Sequence, residues 1–195
     1  MTSELKETGP IWPKWLILAG FLGFALILAI IFIPVLLFAK ESARRAHCVS
    51  NEKQLLLAMH MYSDDWNGIS PMDSTNPTLV GSMQLVTNYL GGSVSSLYCP
   101  DDRRPGAQRA EKSQGLTLLN ISYSYVPNVK WSTKPASPVL LDRIYATEKG
   151  SAWPSDGNHG RAGGNVGFND DHVEWNEKLP ATLKDKNGIV VVLSP

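Results

Sequence analysis

The chain is poor in cysteine and has no excess of charge of either sign. Its 195 residues include 2 cysteines, Cys48 and Cys99, and its 18 basic side chains balance 18 acidic ones. No Cys-x-x-Cys spacing is present, so the usual zinc-site pattern is missing. A neutral chain also lacks the basic surface that nucleic acid requires, and we expect no nucleic-acid partner. The cysteines themselves leave open a disulfide, two unrelated core thiols or, rarely, a metal site.

Charge is absent altogether from one long stretch. Residues 16–39 contain no charged side chain and read LILAGFLGFALILAIIFIPVLLFA. As a helix this run is about 36 Å long, enough to cross a hydrocarbon core of about 30 Å. A cleaved signal peptide has an apolar region of only about 7–15 residues. We therefore expect an N-terminal tail at 1–14, an uncleaved transmembrane helix at 15–39 in the lipid bilayer, and a globular domain at 40–195.

After the apolar run, the hydrophobic pattern becomes that of an amphipathic helix. No Gly or Pro interrupts residues 40–66, so one helix is predicted from about Lys14 to Trp66 and ended by Asn67-Gly68. Glu52 and its charged neighbours interrupt the hydrophobicity as a solvated face would. The apolar stripe comprises Cys48, Glu52, Leu55, Met59, Tyr62 and Trp66.

The remainder of the chain reads as a short helix followed by antiparallel strands. Residues 78–90 have helical spacing and end at a Gly pair, whereas the later segments alternate apolar and small residues. Asp170-Asp171 is predicted to link two strands as a two-residue hairpin connection. The fold class is therefore α+β. Strands are predicted at 120–126, 138–142, 165–169 and 172–175, with an edge strand at 188–193.

Several short segments, in this order along the chain, resemble bacterial pseudopilin-like proteins of the prepilin-type class. The resemblance covers nearly the whole chain. It implies a pilin-like fold, with one long N-terminal helix packed on a small antiparallel sheet. The segments are Ala43-Arg44-Arg45-Ala46, Cys48 to Leu55, Tyr62 to Gly68, Leu97-Tyr98-Cys99-Pro100-Asp101-Asp102, Ser122 to Tyr125, Asp156 to Gly160, and Gly164 to Trp175.

The sequence departs from that family in two places. The cleavage and methylation site of the family, Gly followed by Phe-Thr-Leu-Ile-Glu, is missing, and residues 9–13 read Gly-Pro-Ile-Trp-Pro instead. The C-terminal signature, His-x9-Asp-Gly in the family, has 10 residues between His159 and Asp170, and Asp171 where Gly is usual. The resemblance thus implies the fold more directly than it implies processing and polymerisation.

The resemblance implies a structural protein of the membrane. We expect a minor component of a type II secretion or type IV pilus-related assembly, with other pilin-like subunits as partners. Lys40, Arg44 and Arg45 after the span taken alone favour a cytoplasmic domain. Proteins of this class commonly carry arginines there and face outward, so we expect an inner-membrane anchor with a periplasmic domain. The resemblance also implies that Cys48 and Cys99 lie close together, as a disulfide or as two buried thiols.

The C-terminal loops contain candidate oxygen ligands for a hard cation. Asp156, Asn158, Asp170 and Asp171 are candidate calcium ligands, since calcium takes six to eight oxygens. The region loosely resembles the calcium-binding loop of major pseudopilins of type II secretion. The alternative is that these side chains make local backbone hydrogen bonds.

A different functional class remains open for this region. In that hypothesis the chain is an anchored binding module, unrelated to filaments, with its site near residues 156–175. His159 and His172 have no third metal ligand at suitable spacing, and no nucleophile and base arrangement is recognisable. We therefore expect no enzymatic activity and no cofactor other than calcium.

Overall fold

The computed structural model describes residues 13–72, 77–91, 93–131, 136–144, 152–180, 183 and 192–195. These residues form an α+β fold, which confirms the fold class expected from the sequence. Nearly all of the predicted tail at 1–14 and most of the predicted strand at 188–193 lie outside the described residues. The chain divides into two units, Met1–Ala43 and Arg44–Pro195.

The first unit carries the apolar run. Helix α1 spans Lys14–Asp65, close to the predicted bounds, and its residues before Arg44 belong to this unit. The apolar side chains of the run are exposed all round the helix, with Phe21 at 76% and Phe38 at 77%. Such a surface is stable in lipid and unfavourable in water. The helix is thus long and apolar enough to cross a membrane.

The second unit contains the rest of α1, a short helix α2 and a four-stranded sheet. Neighbouring strands are consecutive in the chain and antiparallel, in the order β1-β2-β3-β4. The elements are α2 Leu79–Val86, β1 Tyr123–Tyr125, β2 Pro138–Asp142, β3 Gly164–Phe168 and β4 Val173–Asn176. Short 3-10 turns lie at Thr87–Leu90, Val94–Leu97, Leu118–Asn120 and Gly160–Ala162.

Local signals set the helix ends. Asn67 and Gly68 have φ of 55° and 80°, and the Gly68 amide donates to the Ser63 carbonyl at 2.8 Å, which closes the end of α1 as predicted. Thr78 precedes α2 and accepts a hydrogen bond from the Gly81 amide at 3.1 Å.

The apolar stripe of α1 forms the core of the second unit. Leu55, Leu56 and Met59 are fully buried. Glu52 is also fully buried, so it follows the stripe and not the solvated face that its charge predicted. Trp66 lies beyond the end of α1 and is 54% exposed, because the chain turns there. At Glu52, helical spacing therefore predicts burial correctly and residue polarity does not.

A glycine allows α1 to approach the sheet closely. A Cβ on Gly167 of β3 would lie 2.7 Å from a methyl carbon of Leu56, so a side chain there would force the Leu56 side chain to shift. Strand β2 is buried on both faces of the sheet. Leu140 belongs to the cluster that includes Leu56, and Leu141 belongs to a second cluster with Trp153.

The turn between β3 and β4 differs from the prediction. The Phe168 amide donates to the His172 carbonyl at 2.9 Å, and the Asp171 amide donates to the Phe168 carbonyl at 3.0 Å. The connection therefore has three residues, 169–171, and the two-residue prediction was wrong. Asp171 has φ of 66°, the left-handed position in this hairpin type. A side chain that tolerates positive φ occupies the place where the resembled family has Gly.

Candidate functional site

His159 lies at the centre of a buried polar network. Its Nδ1 is 3.0 Å from Oδ2 of Asp101, and its Nε2 is 3.5 Å from Oδ2 of Asp142. Asn158 donates from Nδ2 to Oδ1 of Asp142 at 2.7 Å and to the Ser122 carbonyl at 2.8 Å. The backbone amide of Asn165 donates to Asp142 at 2.7 Å. The side chains of His159 and Asn158 thus join the ends of β1, β2 and β3 to the turn after Cys99.

Two arginines extend this network. Arg104 donates from Nη2 to Oδ2 of Asp102 at 2.7 Å and also bonds the carbonyls of Leu118 and Ile121. Arg143 is fully buried, with Nη2 3.7 Å from Oδ1 of Asp102, and it also donates to the Asp156 carbonyl. Bidentate arginine contacts fix both distance and angle, so Arg104 holds the 100–115 loop against the start of β1.

The network changes the acidity of its carboxylates in opposite directions. Burial raises the pKa of Asp102, but hydrogen bonds from Arg104 outweigh burial and leave the pKa below its ordinary value. Burial also raises the pKa of Asp142, and there the attraction of His159 and the bonds from Asn165 and Asn158 offset only part of the effect.

The network is closed to solvent. The side chains of His159 and Arg143 are 0% exposed, and those of Asp101 and Asp142 are 2% exposed. A reactant cannot touch these groups without local unfolding. Each charge faces an opposite one, an arrangement that fixes the relative positions of separate segments. The chemistry that this arrangement supports best is structural cross-linking.

A disulfide lies beside His159. Cys48 of α1 and Cys99 are bonded, with Cα atoms 5.2 Å apart, a separation typical of disulfides. A ring nitrogen of His159 lies within 4.8 Å of both sulfurs. Asn51, one turn after Cys48, donates to the Tyr98 carbonyl at 2.8 Å. Covalent and polar contacts therefore fasten the same turn to α1.

Glu52 is a fully buried acid in this core. Among the residues that the structure describes, neither of its carboxylate oxygens has a hydrogen-bond partner. Burial, and to a lesser extent the nearby Asp142 carboxylate, raise the pKa of Glu52 well above its ordinary value. Burial and the charge of Glu52 likewise raise the pKa of Tyr123. Folding therefore favours the protonated form of Glu52.

The turn between β3 and β4 forms a second, half-exposed cluster. His60 of α1 lies with Nδ1 2.7 Å from Oδ2 of Asp171, and its ring stacks on Trp131 at 5.0 Å. Asp170 pairs with His172. Burial raises the pKa of Asp170, but the hydrogen bond and charge of His172, together with backbone hydrogen bonds, outweigh burial and lower it. Since His60 comes from α1, this cluster fastens the helix to the hairpin.

The candidate calcium ligands fall into two pairs. Asp156 and Asn158 lie before β3 and face Arg143 and Asp142, whereas Asp170 and Asp171 follow β3 and face the histidines of the hairpin cluster. About four strand residues, roughly 13 Å, separate the two ends of β3. Calcium–oxygen bonds are about 2.3–2.6 Å long, so one ion would take its ligands from one end. The calcium site stays a prediction.

Sequence reasoning misses the residues that complete the network. It assigns Asp142 only to a strand and gives Arg143, Asp102 and Arg104 no role. An acid directly after an apolar strand is a signal that could have found Asp142, because a charge at that position needs a partner. Burial of Arg143 has no comparable signal, since it depends on the packing of the turn at Asp156.

Comparison with known proteins gives one family. A model of the family described as "Protein of unknown function (DUF1559)" matches residues 38–82. This part of the chain is similar to that family. The matched residues run from the end of the apolar stretch through the second half of α1 and into α2, and include Cys48 and Asn51. No curated protein and no solved structure matched the chain.

Proposed function

We propose that the chain is a membrane-anchored, pilin-like structural protein that acts as a minor partner of other pilin-like subunits. The assembly is of the kind found in type II secretion or type IV pili. The observation that carries this proposal is the exposed apolar helix joined to a domain whose His159 network is closed to solvent. The domain has no catalytic role in this account.

The disulfide supports an extracytoplasmic location for the domain. Bonds such as Cys48–Cys99 persist in oxidising compartments and are rare in a reducing cytosol. A periplasmic domain on an inner-membrane anchor is consistent with that chemistry. The basic residues Lys40, Arg44 and Arg45 oppose this orientation by the positive-inside rule, which the disulfide outweighs in our proposal.

An exposed apolar stripe supports contact with other subunits. Leu57 and Met61 are one helical turn apart on the domain part of α1, and they are 56% and 47% exposed. Side chains at this spacing point to the same side of a helix. A neighbouring subunit that buries both would remove their apolar surface from water.

The proposal is tested by site-specific photo-crosslinking in membranes of the native host. A photoreactive residue at Leu57 or Met61 should give cross-linked products that contain another single-span chain, identified by mass spectrometry. The exposed Lys112 in the 100–115 loop is the matched control and should give none. Uncross-linked protein at both helix positions would contradict the proposal. A ladder containing this chain alone would contradict the minor-partner role.

A further inference from the structure

The two edges of the sheet differ in how they are covered. At the β1 edge, the Tyr125 amide donates to the Leu193 carbonyl at 2.9 Å, and the Leu193 amide donates to the Tyr125 carbonyl at 2.8 Å. The C-terminal residues thus pair with the outer side of β1. At the other edge, β4 pairs with β3 alone among the residues that the structure describes. Within that part of the chain, the β4 edge is therefore open.

The alternation of hydrogen bonds along β4 shows which backbone groups face outward. The Phe168 amide donates to the His172 carbonyl at 2.9 Å, so His172 and every second residue after it face β3. Val173 and Trp175 alternate with these residues, so their N–H and C=O groups point away from β3. Among the described residues, no hydrogen bond reaches these groups. Four backbone groups are thus free to pair with a further strand.

The open edge is held in place before any partner binds. The guanidinium carbon of Arg45 lies 4.7 Å from the centre of the Trp175 ring, and the His159 ring meets the same ring edge-on at 5.4 Å. Val173 packs against the core cluster that contains the apolar stripe of α1. An edge that is already ordered loses little conformational entropy on binding, which favours the addition of a strand.

The charges beside this edge are mainly negative. Residues 170–178 contain four carboxylates and one lysine. Glu174 is exposed between the two outward-facing residues, and one of its oxygens accepts a hydrogen bond from Nδ2 of Asn176 at 3.0 Å. A carboxylate accepts more than one such bond, so Glu174 retains acceptors for a cation. Charge complementarity thus favours a basic side chain opposite Glu174.

The same geometry disfavours a second copy of this chain. In an antiparallel two-fold pair of β4 edges, the outward groups of Val173 meet those of Trp175 from the other copy. Glu174 lies midway between them and would then stand directly opposite its own equivalent. Like charges directly opposite in a sheet are destabilising, and a charged edge protects a strand against self-pairing. The edge is therefore suited to a different chain.

We propose that the outer edge of β4 binds an extended segment of another protein as a fifth strand, with a lysine or arginine of that segment opposite Glu174. Antiparallel addition gives the segment two hydrogen bonds with Val173 and two with Trp175. The residues before and after the basic one then lie on the α1 face of the sheet, where apolar side chains fit beside Val173 and Trp175. This inference goes beyond the proposed contact at Leu57 and Met61, since it requires neither a filament nor a membrane.

Binding of short peptides to the full chain in detergent micelles tests the site. The probe is a fluorescently labelled, capped peptide Thr-Thr-Val-Lys-Val-Thr-Thr, and the matched peptide has Glu in place of Lys. Fluorescence anisotropy should show that the native chain binds the Lys peptide about fivefold more tightly. Glu174→Lys should reverse this preference. Glu177→Lys makes the same change of charge at an exposed residue beyond the strand and should keep the native preference.

Hydrogen exchange locates the bound peptide. The Lys peptide should slow exchange of the Val173 and Trp175 amides, while the Glu174 amide, which faces β3, should change little. Val173→Pro removes one outward donor and no bond to β3, so it should weaken peptide binding about tenfold. Glu174→Lys keeps every backbone group and decides the question if the proline variant fails to fold.

Several results would overturn this inference. Equal binding of the two peptides to the native chain, or no binding of either, would exclude a charge-matched strand. A Glu177→Lys variant that changes the preference as much as Glu174→Lys does would assign the binding to general charge. A native chain that forms dimers, when Val173→Pro abolishes them, would assign the edge to a second copy.

Discussion

The ring of His159 and the carboxylate of Asp101 lie 3.0 Å apart with both side chains buried, although they are 58 positions apart in the chain. The histidine belongs to the turn before β3, and the aspartate follows the cysteine that is bonded to α1. Two of the short segments that carry the family resemblance therefore meet in space. Their shared role is to hold helix and sheet in one arrangement.

Removal of the central histidine should weaken the domain. His159→Gln leaves Asp101 and Asp142 buried with less compensation, so the free energy of unfolding should fall by about 3 kcal/mol. The control is His172→Gln, because the side chain of His172 is 45% exposed and pairs with an exposed acid. That variant should change stability by less than about 0.5 kcal/mol. Urea unfolding followed by tryptophan fluorescence measures the free energy of unfolding of both variants. An equal decrease in the two variants would contradict a special role for His159.

The buried Glu52 should make the free energy of unfolding depend on pH. Its pKa is raised on folding, so the proton it holds stabilises the native state fully only below the unfolded pKa of about 4.3. Between the unfolded and the folded pKa, the free energy of unfolding should decline by about 1.4 kcal/mol for each rise of one in pH.

Glu52→Gln removes this titration and should be more stable than the native chain at pH 8, with a flatter profile between pH 5 and 8. Unfolding curves across this range give the measurement. Glu177→Gln is a suitable control, because Glu177 is exposed and its replacement should leave the profile unchanged. If the free energy of unfolding of the native chain does not change between pH 5 and 8, the raised pKa of Glu52 is contradicted.

The disulfide should contribute strongly to stability. Cys48 and Cys99 are 51 positions apart, and a closed loop of that length stabilises a fold by about 4 kcal/mol in the chain-entropy model. The free energy of unfolding of the double variant Cys48→Ser, Cys99→Ser should be lower than that of the native chain by about this amount, as measured by thermal unfolding. A reductant should lower the melting temperature of the native chain but not that of the variant, and the opposite pattern would exclude the bond.

Two variants of Asp171 can separate the effect of its left-handed backbone conformation on stability from the effect of its side-chain contact. Asp171→Gly and Asp171→Ala both lose the contact with His60, but only Ala keeps a Cβ at φ of 66°. The Gly variant should therefore be more stable than the Ala variant by about 1 kcal/mol. Equal stability in chemical unfolding would mean that the turn relaxes to another conformation.

The fold was largely predictable because its signals are local. The strand at 138–142 was predicted with its observed bounds, since a run of apolar residues closes on an acid. Asn67-Gly68 marked the helix end because both residues tolerate the positive φ found there. The β3–β4 turn was mispredicted because Asn169 joins the connection, and it is held there by side-chain bonds to Lys130 and Ser137 that are distant in sequence.

The network was less predictable because it depends on packing between distant segments. Arg143 looks like an ordinary solvated residue after a strand, and Glu52 looks like part of a charged helix face. Each is buried only because several elements close over it. The sequence indicates which segments carry polar groups, but pairing among them is decided in three dimensions.

The most direct test of the account asks whether the chain is anchored at all. Membranes from cells that express the full chain are extracted with alkaline carbonate, which removes peripheral proteins and leaves spanning helices in the bilayer. We expect the chain in the pellet at its full-length mass of 21.4 kDa. Recovery of the full-length chain in the supernatant would contradict the anchor and, with it, the proposed structural role at the membrane.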